Sequence, residues 1–241
     1  MYLSNHGIWR LDIYGETDGT AMWESVDVME KLMRGVSAEL FGGNGRFQVI
    51  PCDHLADPGV SGVFLGLGRH FTCHTFNKRN AAFLDVYGLN NDDSVNRIWN
   101  FETESKSLQE FVSKYYPSRQ MVLVEGSEGA PNGGRYGKHL YFKCQRMKLS
   151  EAIQVVEQLL VVLDMKKLIP LMVEVGPSEE FDLLQTITES HIACHVCGEC
   201  MDVDIFSCRD FPSGPALGLF PEVREMREYR RGSLLDRTGV Y

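Results

Sequence analysis

Apolar residues recur at helical spacing in two segments of the chain, one in each half. They predict a helix over residues 23–40 and a second helix for which Ser150 is a suitable N-cap. The apolar positions are Val26, Met29, Met33 and Val36 in the first helix and Ile153, Val156, Leu160 and Leu163 in the second. Each set lies on one side of its helix, which is typical of a helix that packs on a sheet.

Shorter apolar segments, bounded by glycine, proline or polar residues, predict strands in both halves. Their ranges are residues 8–14, 60–67, 70–76, 82–88 and 120–125 in the first half and residues 139–145, 181–188, 191–196 and 202–207 in the second. Glycine and proline crowd residues 126–134, which predicts a linker. Glutamate and arginine alternate over residues 221–231, which predicts a charged surface helix.

Similarity between the two halves predicts a tandem duplication. Residues 68–75 and 189–196 share the pattern His-apolar-small-Cys-His, and residues 83–87 resemble residues 202–206. The predicted fold class is α+β, with two tandem repeats that each form an antiparallel sheet with helices on one face, packed as an αββα sandwich. The predicted boundaries are residues 1–126 for repeat 1, 127–137 for the linker and 138–241 for repeat 2.

Composition and charge narrow the functional classes. The formal net charge of −9 argues against nucleic acid as a partner. The first residues lack a basic stretch followed by an apolar one, and the apolar run at residues 159–163 is too short to cross a bilayer, so we expect neither a secretory leader nor a membrane partner. The seven cysteines form an odd set without a secreted-type framework, which favours a cytoplasmic location.

Four short segments together resemble the signature of S-adenosylmethionine decarboxylases. They are residues 58–63 (PGVSGV), 70–75 (HFTCHT), 188–195 (TESHIACH) and 204–208 (DIFSC). The family pattern is a strand entered through Val-Ser-Gly, then Glu-Ser-His-x-x-x-His, then Asp-x-Phe-Thr-Cys. The resemblance covers most of both halves and is strong in these segments only.

This resemblance implies an enzyme that makes its own cofactor, a covalent pyruvoyl group. In this family a serine cuts the chain on its N-terminal side, which here means that Ser190 separates from Glu189. The hydroxyl attacks the preceding carbonyl to form an ester, elimination leaves dehydroalanine, and hydrolysis gives the pyruvoyl group and ammonia. The pyruvoyl ketone then forms a Schiff base with the substrate amine and acts as the electron sink for decarboxylation.

The resemblance also implies an active site built from two repeats, so that a duplicated chain is an internal pseudo-dimer with one site. Repeat 2 keeps the cleavable Ser190, and repeat 1 has Arg69 at the matching position. Repeat 1 keeps the family's helper serine, Ser61, and repeat 2 has Asp182 there. Each repeat therefore lacks what the other retains. Pairing of two chains into a homodimer stays open.

The residue types suit the roles that the resemblance implies. Ser61 can donate a hydrogen bond to the oxyanion of the acyl shift. His74 can take the α-proton during elimination, because the reference pKa of histidine lies near neutrality. Cys208 in repeat 2 can return a proton to the substrate carbon after carbon dioxide leaves.

The resemblance implies a first and an alternative substrate. S-adenosylmethionine comes first, in polyamine synthesis. The alternative is L-ornithine or L-arginine, because Lys78 stands where the family has a ribose-binding glutamate, and Leu55 stands where it has an aromatic residue that stacks on adenine. Glu199 occupies the matching acidic place in repeat 2.

Two interpretations of another class remain open, a non-catalytic paralogue and a zinc-holding interaction module. Cysteines 194, 197 and 200 with His195 have a spacing that can hold zinc, with Cys208 or His191 as a further ligand, although neighbouring strand residues point to opposite faces. We expect no resident metal. His195 is interpreted as a remnant with a structural hydrogen bond, His70 and His191 as residues packed in or near the sheets, and Cys73 and Cys194 as small core residues.

Overall fold

A computed structural model describes most of the chain, namely residues 7–14, 23–52, 58–77, 80–88, 108–117, 120–123, 137–188 and 190–230. The chain divides into two compact units, unit 1 (residues 1–124) and unit 2 (residues 125–241). Within the described ranges each unit holds one antiparallel sheet of six strands and a few helices, so the fold is α+β and mostly sheet. The predicted linker lies outside the described residues except for Gly137.

Unit 1 builds its sheet from strands that follow the predicted ranges closely, with one addition. The elements are β1 (Gly7–Tyr14), α1 (Val26–Gly35), a π-helical turn (Val36–Leu40), β2 (Arg46–Pro51), β3 (Val60–Gly66), β4 (Arg69–Phe76), β5 (Ala81–Gly88) and β6 (Gln120–Leu123). Residues 108–113 are helical as well. The strand order is β2-β3-β4-β5-β1-β6. Strand β2 pairs with β3 at the edge of the sheet and was not predicted.

Helix α1 covers one face of this sheet because its apolar side is continuous. Met29, Leu32 and Met33 are fully buried, and they join Phe64 of β3 in the core. The helix and β3 approach closely at Gly62, where an added Cβ would lie 2.4 Å from the Met29 sulfur. In β4, Phe71 and Cys73 belong to this core, so the residues that alternate with them, including His74, lie on the face opposite α1.

Unit 2 repeats the order of unit 1. Its elements are β7 (Lys138–Gln145), α2 (Leu149–Val162), β8 (Met172–Val175), β9 (Phe181–Ile187), β10 (Ser190–Cys197), β11 (Cys200–Ser207), α3 (Ser213–Leu217) and β12 (Arg224–Arg230). Read from β8, the strand order is β8-β9-β10-β11-β7-β12. This is the order of unit 1, with β7 to β12 in the places of β1 to β6. The edge strand β8 was not predicted.

Helix α2 begins two residues earlier than predicted. Lys148 is its N-cap, and its backbone N–H donates to the Glu151 carboxylate at 2.9 Å. The prediction of Ser150 as N-cap was therefore wrong, because the glutamate three positions after Lys148 satisfies the helix end instead. The predicted apolar face is buried against the sheet, with Val156 and Leu160 in the core beside Phe142.

The predicted charged helix at residues 221–231 is also wrong, because Arg224–Arg230 forms strand β12. This strand pairs antiparallel with β7 at the sheet edge. Lys138 and Lys143 of β7 form ion pairs with Glu228 and Glu225, at 3.1 and 3.0 Å. An edge strand tolerates charged side chains, so the charges of this segment are compatible with a strand. The segment forms a strand because it supplies hydrogen-bond partners to the backbone N–H and C=O groups of β7.

Candidate functional site

Ser61 and His74 of unit 1 form a hydrogen-bonded pair across two neighbouring strands. The β3–β4 register places them directly opposite one another. Ser61 Oγ lies 2.9 Å from His74 Nδ1, and the two residues are only 6% and 2% exposed. The Cys52 sulfur lies 3.5 Å from the same hydroxyl. The two residues expected to assist chain cleavage are thus in direct contact in a water-poor environment, where a hydrogen bond to developing charge is strong.

The backbone around this pair is held by Thr75, the residue after His74. Thr75 Oγ1 accepts a hydrogen bond from the Val60 backbone N–H at 2.7 Å and donates to the Trp23 carbonyl at 2.5 Å. Gly59 fits against this strand only because it has no side chain, since an added Cβ would lie 2.0 Å from the Thr75 carbonyl oxygen. These contacts fix β3 against β4 and hence fix Ser61 against His74.

The matching pair in unit 2 is Asp182 and His195. They are opposite one another on β9 and β10, and His195 Nδ1 donates to the Asp182 carboxylate at 2.5 Å. Both are buried. His195 therefore has the structural hydrogen bond expected of it, and the exchange of serine for aspartate occurs at the same place in the same strand pairing.

Ser190 is the first residue of β10 and is 1% exposed. It pairs with Ser207 of β11, and the partly exposed Cys208 follows immediately. The strand pairing thus places the expected precursor serine and the expected proton donor at the same end of the same two strands. Ser190 has a φ of 157°, a positive value that residues with side chains seldom adopt. Glu189 lies outside the described residues.

A buried polar chain extends from Ser190 into the sheet, and the sequence analysis did not assign it. Ser190 Oγ lies 3.3 Å from His191 Nδ1. His191 Nε2 lies 3.7 Å from one Asp204 oxygen, and the other Asp204 oxygen accepts a hydrogen bond from His139 Nε2. Alternation along strands β7, β10 and β11 puts His139, His191 and Asp204 on one face of the sheet, and the strand order then brings the three side chains together.

The charge of Asp204 is favoured by its neighbours. Burial by itself raises the pKa of this carboxyl, but the nearby His139, and after it His191, outweigh burial through charge and hydrogen bonding. The pKa of Asp204 is therefore held well below its usual range. The imidazole of His191 lies between this ionised carboxylate and the Ser190 hydroxyl.

Cys194 and His195, two of the candidate zinc ligands, lie on opposite faces of the unit 2 sheet. Cys194 faces the helical side of the sheet, where burial raises the pKa of its thiol, and His195 lies on the other face. Burial also raises the pKa of Cys144, the neighbouring core thiol, to about 12. His70, the matching histidine of unit 1, is buried and stacks on Tyr87 with ring centroids 5.7 Å apart.

Comparison with known proteins adds little to the site. No protein-family model matches the chain. No curated protein matches it either. The crystal structure of an unknown protein from Galdieria sulphuraria is similar to 89% of this chain and 88% of its own, at 12% sequence identity and a TM-score of 0.22. In the part of the chain that the structure describes, no helix is long and apolar enough to cross a membrane.

Proposed function

We propose that this chain is a self-processing, pyruvoyl-dependent decarboxylase of polyamine synthesis, similar to S-adenosylmethionine decarboxylases. One observation carries the proposal. In unit 1 the pairing of two adjacent strands holds Ser61 against His74 at 2.9 Å, and in unit 2 the matching pairing holds Asp182 against His195. The helper serine and its histidine therefore belong to unit 1, while the cleavable Ser190 belongs to unit 2. Such a division is expected when two repeats specialise for a single reaction.

The first step of processing is an acyl shift. The Ser190 oxygen bonds to the carbonyl carbon of Glu189, and the carbon–nitrogen bond between these residues breaks, which leaves an ester and a free amine. Ser61 donates to the oxyanion formed in between. This role suits a buried hydroxyl, because water does not compete for the developing charge.

The second step is elimination from that ester. His74 removes the α-proton of residue 190, and the Glu189 carboxylate leaves. The Ser61 hydroxyl at Nδ1 helps to orient the imidazole for this transfer. One water then hydrolyses the product at residue 190, with release of ammonia.

The resulting pyruvoyl group supplies a ketone that binds a primary amine and withdraws electrons as carbon dioxide leaves. The surroundings of residue 190 fit this group. It is buried at the start of β10, and Cys208 follows its cross-strand partner Ser207. In the proposal the Cys208 thiol protonates the substrate carbon.

The identical strand order of the two units supports an origin by tandem duplication. We propose further that the two sheets form the αββα arrangement implied by the resemblance. S-adenosylmethionine is the first substrate to test. L-ornithine and L-arginine are the alternative, favoured by Lys78, which lies outside the described residues.

Intact mass spectrometry of the denatured protein tests the proposal. We expect two chains, residues 1–189 and residues 190–241, the smaller with a pyruvoyl group in place of its amino-terminal serine. S190A is the control and should stay full length. A single unmodified chain from the unsubstituted protein would contradict the proposal and favour the non-catalytic paralogue. Release of labelled carbon dioxide from the three carboxyl-labelled substrates then identifies the one that is used.

A further inference from the structure

We propose that His191 is the base that activates Ser190 for the acyl shift, and that Asp204 and His139 position and charge-stabilise it. This inference rests on the proposed function and adds a catalytic residue to it. The assignment separates two histidine roles. His191 acts in ester formation, and His74 of unit 1 acts in the elimination that follows.

Geometry supports His191 because its imidazole is within hydrogen-bond distance of the attacking hydroxyl. Ser190 Oγ lies 3.3 Å from His191 Nδ1, and both residues are almost fully buried. A contact of this length in a resting structure is compatible with proton transfer, because catalytic hydrogen bonds often shorten only as the reaction proceeds. By contrast, His195, which lies on the same face of β10 as His191, is bonded to Asp182 and is four residues further along the strand.

Asp204 gives the His191 ring the tautomer that the reaction needs. One Asp204 oxygen lies 3.7 Å from His191 Nε2, so the carboxylate favours a proton on that nitrogen and leaves Nδ1 able to accept one. The same carboxylate stabilises the imidazolium that forms when Nδ1 takes the serine proton. Asp204 acts through His191 and is a positioning residue.

His139 completes the chain from the far side of Asp204. Its Nε2 donates to the other carboxylate oxygen, and its ring packs edge-on to His191 with centroids 6.3 Å apart. The ring also lies against Phe206, at 5.3 Å between centroids. Strands β7, β11 and β10 are adjacent in the sheet, so His139, Asp204 and His191 are held on a rigid surface rather than on a loop.

The proton of this step is transferred only between groups of the chain itself. The Ser190 hydroxyl proton moves to His191 Nδ1 as the oxygen bonds to the Glu189 carbonyl carbon. As the carbon–nitrogen bond breaks, His191 returns that proton to the Ser190 nitrogen, which becomes a neutral amine. The reaction consumes no oxidant and no water at this stage, and it ends at an ester that hydroxylamine can cleave.

Hydroxylamine sensitivity tests the assignment, because it separates a block before the ester from a block after it. The full chain is made by in vitro translation and followed by denaturing gels and intact mass, with and without hydroxylamine. We expect H191Q to stay full length and resistant, with cleavage slowed about 10²–10⁴-fold. H74A should accumulate a full-length chain that hydroxylamine cuts. H195Q, the matched substitution on the same strand and face, should cleave like the unsubstituted chain.

Asp204 provides an independent check if H191Q fails to fold. D204N preserves the side-chain shape and should slow ester formation about 10²-fold or more, again without a hydroxylamine-sensitive precursor. D204E keeps the charge and should restore part of the rate, which a purely structural role does not predict. Ester formation at the normal rate in H191Q or in D204N would overturn the assignment while the proposed function stands. An unsubstituted chain that never cleaves would overturn both.

Discussion

Replacement of Ser61 by alanine tests the proposed contribution of unit 1 to chain cleavage. The substitution removes a hydroxyl that is 6% exposed and lies 2.9 Å from His74 Nδ1, and it adds no atom to the core. A lost buried hydrogen bond costs about 1–3 kcal/mol of folding free energy when its partner remains. Domains are stable by about 5–15 kcal/mol, so we expect S61A to fold.

The effect on cleavage should exceed the effect on stability. Loss of one donor to an oxyanion slows acyl transfer about 10²–10³-fold, or about 2.7–4 kcal/mol in the barrier. The assay is the rate of appearance of the two chains on denaturing gels after in vitro translation, with thermal unfolding measured on the purified precursor. S61A should accumulate full-length chain that unfolds in one transition close to that of S190A.

Asp182→Asn is the matched control for this experiment. Asp182 holds the same strand position in unit 2, has the same kind of histidine partner and is also buried. It should change stability without a comparable effect on the cleavage rate. The reasoning would be refuted by an S61A chain that cleaves at the unsubstituted rate, or by a D182N chain that is blocked while S61A is not.

C208A should cleave normally but lose most of its decarboxylase activity in the carbon dioxide assay, because Cys208 is assigned to the substrate step alone; loss of cleavage would contradict that assignment. G59A should lower the unfolding free energy by about 1–3 kcal/mol or more in urea titrations, since its Cβ meets the Thr75 carbonyl oxygen at 2.0 Å. G88A, whose Cβ meets no atom of the described residues within 4 Å, should be neutral. The lowered pKa of Asp204 means that its carboxylate stabilises the fold above the ordinary aspartate pKa of about 3.9 and that this contribution is lost as pH falls towards the native value. D204N should therefore have a lower free energy of unfolding than the unsubstituted chain at neutral pH, and this difference should shrink below about pH 4. A difference that is the same at all pH values would contradict the ionised state of Asp204.

Part of the candidate site could be predicted because strand residues are organised by short-range alternation. The spacing around Ser61, His74, Ser190 and Cys208 identified strands, and the structure places all four on or next to strands as expected. The aspartate at position 182, opposite a histidine, is also visible in the sequence.

The edge strands show where local pattern fails. Residues 224–230 carry alternating charges that suit a solvated helix as well as an edge strand, and only the unpaired backbone groups of β7 favour the strand. Strands β2 and β8 were missed for a related reason. Their partly exposed residues lack the apolar continuity of central strands, and their pairing with β3 and β9 determines them.

The amino-acid sequence by itself determined the amphipathic helices, the central strands and the exchange of Ser61 for Asp182, because each depends on residues a few positions apart. Tertiary structure alone decided that His139, Asp204 and His191 meet beside Ser190. These residues come from three strands that are distant in the chain and adjacent in the sheet. Their contact depends on long-range strand order and register, which periodicity along one segment does not encode.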